Sequence, residues 1–490
     1  MNKVYRKVWS RALNQLVVAS ELASSHSGGT TTKRPAHRGI SQRLGTFVVG
    51  ASAAIGGLAW TTLAQAQINC ANPPFNVYSG SAMCAGLSSA ADAGGATALG
   101  FAAHSGALNA TSVGFQANAL GVNSIYLGPR TAVGTGALGE GSIAIGTDVT
   151  SSGRSSIGFG TQSFAAGGNA IAFGTSSSVD VNSGNSVAIG PSAKATGAIN
   201  SVALGASSLA TTGQGTALGA FTLASSDGAT AVGLSSQSTA THATAVGWQA
   251  DATALNAVYL GARTVGTGAS GESAVAIGTD VSASGQFAIG MGIQAQATQN
   301  DAIAIGRNAI ASGLNSMYIG PLPDVAGRGA TAANAIGVGV DVTASGVGSV
   351  ALGNFTVASG GNSLALGSST ASAGNAVAAG QGSAASGASS LALGSTSKAQ
   401  AASTVAIGDT NTVAAAAGPG SIAGGHNSQV TGGTGAVALG QGQVANGNGA
   451  VAIGDPNSVN GNGAVGMGAN NTVNGDGAVG IGNTNNAQGV

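Results

Sequence analysis

Ser201-Val202-Ala203-Leu204-Gly205 and Ala450-Val451-Ala452-Ile453-Gly454 spell the same phrase: a small residue, a branched one, alanine, a branched one, glycine. The phrase recurs from Leu99-Gly100 to Ile481-Gly482. Its closing glycines fall at 100, 114, 128, 146, 160, 174, 190, 205, 219, 233, 247, 261, 278, 292, 306, 320, 339, 353, 367, 380, 394, 408, 424, 440, 454, 468 and 482. Of the 26 gaps between these landmarks 18 are 14 residues, and so short and regular a period is the mark of a solenoid whose units bury their apolar faces only by stacking.

One unit, Arg307 to Gly320, shows how such a coil is made. Ala309-Ile310-Ala311 and Met317-Tyr318-Ile319 alternate with period two, which reads as two short strands. Ser312-Gly313-Leu314-Asn315-Ser316 lies between them and Gly320 closes the coil, supplying turn conformations that other residues resist. Two strands and two turns in 14 residues predict a narrow parallel β-roll. A helix is excluded, because glycine recurs every turn or two at about 1 kcal/mol each and no 3.6-residue period survives. At about 4.8 Å per stacked coil, 27 coils would make a rod of roughly 130 Å.

The composition agrees. Only 6% of the 490 residues are charged and 85 are glycine, yet Val, Ile and Leu return in register, which separates the chain from a disordered linker. Eight of the fifteen basic residues lie in the first 43 positions. The remainder carries seven basic against fourteen acidic residues, so it has no electrostatic footprint for nucleic acid.

The first 66 residues have the pattern of an export signal. A basic start is followed by an uncharged apolar run, Leu44 to Leu63, and then Ala64-Gln65-Ala66, with cleavage expected between Ala66 and Gln67. The run is also long enough to span a bilayer, which is the alternative reading. The long leader holds Asn2-Lys3-Val4-Tyr5-Arg6 and Ser20-Glu21-Leu22-Ala23. It closely resembles the extended signal peptide of large type V secretion proteins, the autotransporters of Gram-negative bacteria and their trimeric relatives. Export leads to an oxidising compartment, where the only two cysteines, Cys70 and Cys84, are expected to pair, against the alternative of two unpaired thiols. Closing that loop would be worth roughly 3 kcal/mol in the chain-entropy model. Residues 67–91, with Pro73-Pro74-Phe75, read as a stapled cap on the first edge of the solenoid, and residues 92–490 as the repeats.

Neither side of the repeated strand is charged, and a strand of that kind is normally covered twice. Fourteen residues leave no second layer within the chain, so another copy is the expected cover. The phrase followed by Ala-x-Ala-x-Gly resembles the head repeat of the YadA-like trimeric autotransporter adhesins. That resemblance implies left-handed parallel β-rolls packed side by side as a homotrimer, displayed at the outer membrane. It further implies attachment to host extracellular matrix, cell-surface receptors or neighbouring bacteria, with a non-binding spacer or self-association module as the alternative role. The family continues into a neck, a coiled-coil stalk and a β-barrel anchor. Here the sequence stops at Val490 within the repeat, so anchoring is expected only through a C-terminal region outside these residues.

Within the coil, volume suggests that Val202, Leu204, Val451 and Ile453 point inward and that Ser201, Ala203 and Ala452 face the partner chains. The alternative places alanine inside and the branched residues toward the partners. Three long gaps follow Tyr126, Tyr259 and Tyr318; the first two share Gly146-Thr147-Asp148 and Gly278-Thr279-Asp280, which looks like a duplicated block. Such insertions bulge from a solenoid and either form a binding surface or are tolerated loops.

No catalytic, cofactor or metal site is expected. G-x-G-x-x-G at Gly134, Gly266, Gly461 and Gly475 is what 85 glycines produce by chance, and no βαβ unit surrounds it. His104, His242 and His426 are isolated, and an enzyme acting on polysaccharide would need clustered carboxylates. Asn474-Gly475-Asp476-Gly477 only faintly matches the calcium-binding nonapeptide of other β-rolls.

Overall fold

The computed structural model describes residues 5–10, 15–20 and 81–489, apart from 198, 267 and 324–326. The chain divides into two units, Met1–Gln65 and Ala66–Val490. In the first, Tyr5–Ser10 pairs antiparallel with Gln15–Ser20. The cleavage point, the apolar run and Cys70 lie outside the described residues.

In the second unit 54 strands join one parallel sheet, and no helix occurs among the described residues. Most coils contribute a three-residue strand and a two-residue strand, such as Val202–Leu204 and Leu209–Ala210, and toward the C-terminus the strands lengthen and merge, as in Val451–Asn460. Each pairs with its counterpart one coil on: Val202, Ala203 and Leu204 with Thr216, Ala217 and Leu218, and Leu209 and Ala210 with Leu223 and Ala224. This skip-one pairing is the rolled solenoid that the period predicts. It begins at Met83–Ala85, which pairs with Thr97–Leu99, so parallel stacking is already present within the segment 67–91.

The landmark glycine has two physical reasons. Gly205 adopts φ 133°, which L side chains rarely occupy, and a Cβ there would lie 2.3 Å from the carbonyl oxygen of Gly219 in the next coil. The glycines thus form a column in which one backbone stacks directly on the next. At one landmark the column corrects the sequence reading. Gly425, not Gly424, pairs with Gly408 and Gly440, while Gly424 stands opposite Ile407 and Leu439 in a branched position.

The assignment of faces is the reverse of the volume argument. Ala203 and Ala452 are completely buried, together with Ser201, Ser208 and Ala210. Val202, Val451 and Ile453 are only half-buried, and Leu204 is 37% exposed. Sheets lined by Val and Leu pack about 10 Å apart because those side chains fill the space between them. In a coil this short the turns hold the two strands closer, and native density is reached mostly with methyl and hydroxymethyl groups. A few inward positions take valine, such as Val459 and Val473 against Gly466 and Gly480, while the branched pair of each long strand lines the outer face.

Candidate assembly face and inserted loops

Because alternate residues of a strand face opposite sides, burying the central alanine of each long strand sends its two flanking residues outward. Those outward pairs run Val187 and Ile189, Val202 and Leu204, Thr216 and Leu218, and so on. Along the described solenoid, from Met83 to Ile481, none is ionisable and threonine is the only polar type. The short strand differs, for its outward residues include His104, Lys194, Gln237, Asp251 and Lys398. One side of every coil therefore adds to a continuous uncharged stripe, and the other carries the charged residues, although Phe164, Leu209, Leu223, Ile310, Val357 and Val444 share its outward positions. Contiguous apolar surface on this scale marks an interaction face. Two aromatic residues break its uniformity: Phe159 and Phe173, on consecutive coils, stack at 4.5 Å between ring centroids and 3° between planes.

The three inserted coils are built alike. Tyr126, Tyr259 and Tyr318 are fully buried at the inward position that alanine holds elsewhere, aligned with Ala144, Ala276 and Gly337 of the following coils. Their hydroxyls donate to the carbonyls of Pro129 (3.2 Å), Ala262 (2.9 Å) and Gly339 (3.2 Å). Burial raises all three phenol pKa values above the ordinary 10.0. The next coil in each case buries Val149, Val281 or Val342. A coil widened by extra residues needs this larger filling, which is why a tyrosine precedes each long gap.

Carboxylates hold the first two insertions down. Asp148 accepts hydrogen bonds from the Thr131 and Ala132 amides and the Thr131 hydroxyl, and Asp280 accepts the same set from Thr264 and Val265. Desolvation pushes each carboxyl up, but the hydrogen bonds outweigh it and leave both below the ordinary 3.8. Arg130 and Arg263 reach back to the carbonyls of Gln116 and Gln249 on the preceding coil, and Arg263 also pairs with Asp251 at 3.2 Å. The third insertion has its carboxylate at Asp341, buried and paired with Arg328. Sequence reading found the shared Gly-Thr-Asp but not this third copy, where Val340 replaces the threonine.

Beside the first two insertions, turn residues form exposed apolar rows. Leu87, Phe101 and Phe115 precede the first, with the two rings stacked at 5.5 Å, and Phe221, Leu234 and Trp248 precede the second. Phe221 holds φ 57°, a left-handed conformation that a bulky residue adopts only at a cost. Of the sequence-selected residues, His104 meets Asp92 at 2.7 Å and His426 meets Asp409 at 3.1 Å, both as exposed pairs. Cys84 is completely buried in Met83–Ala85, the first described strand of the solenoid.

Residues 1–50 match the extended signal peptide of the type V secretion system. The YadA head domain repeat matches at 105–129, 151–177, 183–208, 198–222, 224–250, 238–258, 283–309, 300–317, 344–370, 385–411 and 432–455. The chain belongs to the YadA-like trimeric autotransporter adhesins. Membership brings secretion to the Gram-negative cell surface, assembly as a trimer and an adhesin role in general. No curated protein matches the chain.

Proposed function

We propose that this solenoid is an adhesin head whose three copies meet along the apolar stripe and whose polar side and inserted loops contact host matrix, cell-surface receptors or neighbouring bacteria. The observation that supports the reading is that the outward residues of the long strands form one face without a single ionisable group, while the charged outward strand residues Lys194, Asp251 and Lys398 lie on the other. The rows Leu87-Phe101-Phe115 and Phe221-Leu234-Trp248 put apolar side chains next to the loops, where a weak contact repeated along the rod and across three chains would be multiplied by valency. The test is solid-phase binding of the purified trimer to collagen, fibronectin and laminin, against the same trimer carrying Phe115→Ser and Trp248→Ser. Retained trimer with reduced binding is expected. A wild-type trimer that binds none of the three, nor itself, would make the head a spacer.

Cys70 and Cys84 are proposed to form a disulfide that staples the start of the solenoid. Thiol labelling of the exported protein without reductant is expected to find neither cysteine reactive; quantitative labelling of both would refute it.

A further inference from the structure

A stripe of repeating coils poses a problem of alignment. Sliding one copy past another by one coil, about 4.8 Å, exchanges mostly aliphatic residues for aliphatic residues or threonine and changes the contact only gradually. Faces of this kind specify register weakly unless some feature breaks the repeat. Among the outward residues of the described long strands, Phe159 and Phe173 are the only aromatics. They sit on adjacent coils, in register with each other, and their rings are stacked and 40% and 47% exposed. Ile145 and Ile189 occupy the same outward position one coil to either side.

We propose that the stacked Phe159–Phe173 pair sets the register in which copies of this chain associate. The proposal rests on the reading that the apolar stripe is the face between copies. In register, the pairs from all three chains come to the same two heights, where flat aromatic edges and faces can meet. A slip of one coil leaves one ring of each displaced chain level with an isoleucine, and a slip of two or more strands both rings. The remaining coils would then supply affinity, and this pair alignment, much as a single distinctive layer fixes register in a coiled coil.

The test uses the mature trimer with one spin label per chain at Lys194→Cys, an exposed site on the polar side. An in-register trimer gives one inter-label distance, whatever the position of its axis. Phe159→Ala/Phe173→Ala is expected to stay trimeric by light scattering, keep its β-sheet circular dichroism and show several distances in place of one. In that background Leu204→Phe/Leu218→Phe, which rebuilds an aromatic pair on two other adjacent coils, is expected to restore the single distance. A single distance in the alanine variant overturns the register role and leaves the assembly face standing. Folded monomers from that variant also overturn it, because the pair would then supply affinity. Should the alanine variant not fold, Phe159→Leu/Phe173→Leu takes its place with the same readout. The assembly face itself fails if Val202→Asp/Leu204→Asp leaves the trimer intact.

Discussion

The coils around Val202 and those around Val451 have the same length and the same glycine column, yet they close in different ways. In the first, the strand stops at Leu204 and the third residue after the glycine is Ser208, whose hydroxyl donates to the carbonyl of Gly205 in its own turn at 2.9 Å. In the second, the strands run on from Val451 to Asn460 and from Val465 to Asn474, pairing on both sides of Pro456. There the equivalent residue is an amide that reaches between coils. Asn457 donates to Gln443 Oε1 at 2.9 Å, Asn471 to Asn457 Oδ1 at 2.7 Å and Asn485 to Asn471 Oδ1 at 2.8 Å. Asn457 also donates to the Ile453 and Gly468 carbonyls, and its Oδ1 accepts the Asn471 amide N–H as well. A hydroxymethyl group is long enough to cap one turn, whereas a carboxamide, with two donors and an acceptor, can join three successive coils. The first kind of coil adds to its backbone pairing single hydroxyl contacts, such as the Ser201 N–H to Ser186 Oγ at 2.9 Å, whereas the second adds a continuous side-chain ladder.

The largest effect should come where both regions share an architecture that the inserted coils modify. Tyr259→Ala removes a fully buried ring from a widened coil, and a loss of about 3–5 kcal/mol is expected in chemical denaturation. Next is the glycine column, common to both regions. Gly205→Ala and Gly454→Ala would place a Cβ 2.3 Å and 1.9 Å from the carbonyl of the next coil, and each should cost about 3 kcal/mol or more. Equal losses in the two regions would show that the column is indifferent to how the turn is closed.

The comparison is sharpened by the matched pair Asn457→Ala and Ser208→Ala. Removing the buried amide strips partners from Gln443, Asn471 and two carbonyls, so about 2–3 kcal/mol is expected; removing the hydroxyl should cost about 1 kcal/mol or less. Similar losses would mean that the ladder adds nothing beyond a local cap.

The smallest effect belongs to the loops. Asp148 and Asp280 have folded-state pKa values below 3.8, so their stabilisation is present above that value and is lost as pH falls through the lowered one. Hydrogen exchange of the Thr131–Ala132 and Thr264–Val265 amides, corrected for intrinsic rates, should therefore accelerate at pH 3 relative to pH 5, while the strand amides stay protected. Asp280→Asn should abolish the pH dependence at the second loop alone.

Much of this architecture is legible in the sequence because a solenoid writes its geometry as a period. The spacing of Gly205 and Gly219 sets the coil length, the alternation at Val202-Ala203-Leu204 sets the strand, and Tyr126, Tyr259 and Tyr318 flag the widened coils. The Asn457–Asn471 ladder was less visible, because a polar residue in a turn-like stretch gives no sign that strand pairing passes through it. At Gly424-Gly425 two adjacent glycines satisfy the same spacing, and only the pairing of Gly425 with Gly408 and Gly440 tells them apart.

What the sequence by itself determined is the periodic parallel roll, the absence of a charged strand face and hence the need for a second covering surface. Only the tertiary structure decided which set of alternate residues goes inside. Period two shows that Ala203 and its branched neighbours face opposite ways, but alternation has no sign. The sign comes from the narrow space between the two strands of a coil, which alanine fills at most inward positions and which admits a valine such as Val459 only where a small residue such as Gly466 faces it. The same closeness that packs alanine against alanine inside each roll leaves Val202, Leu204 and their counterparts outside.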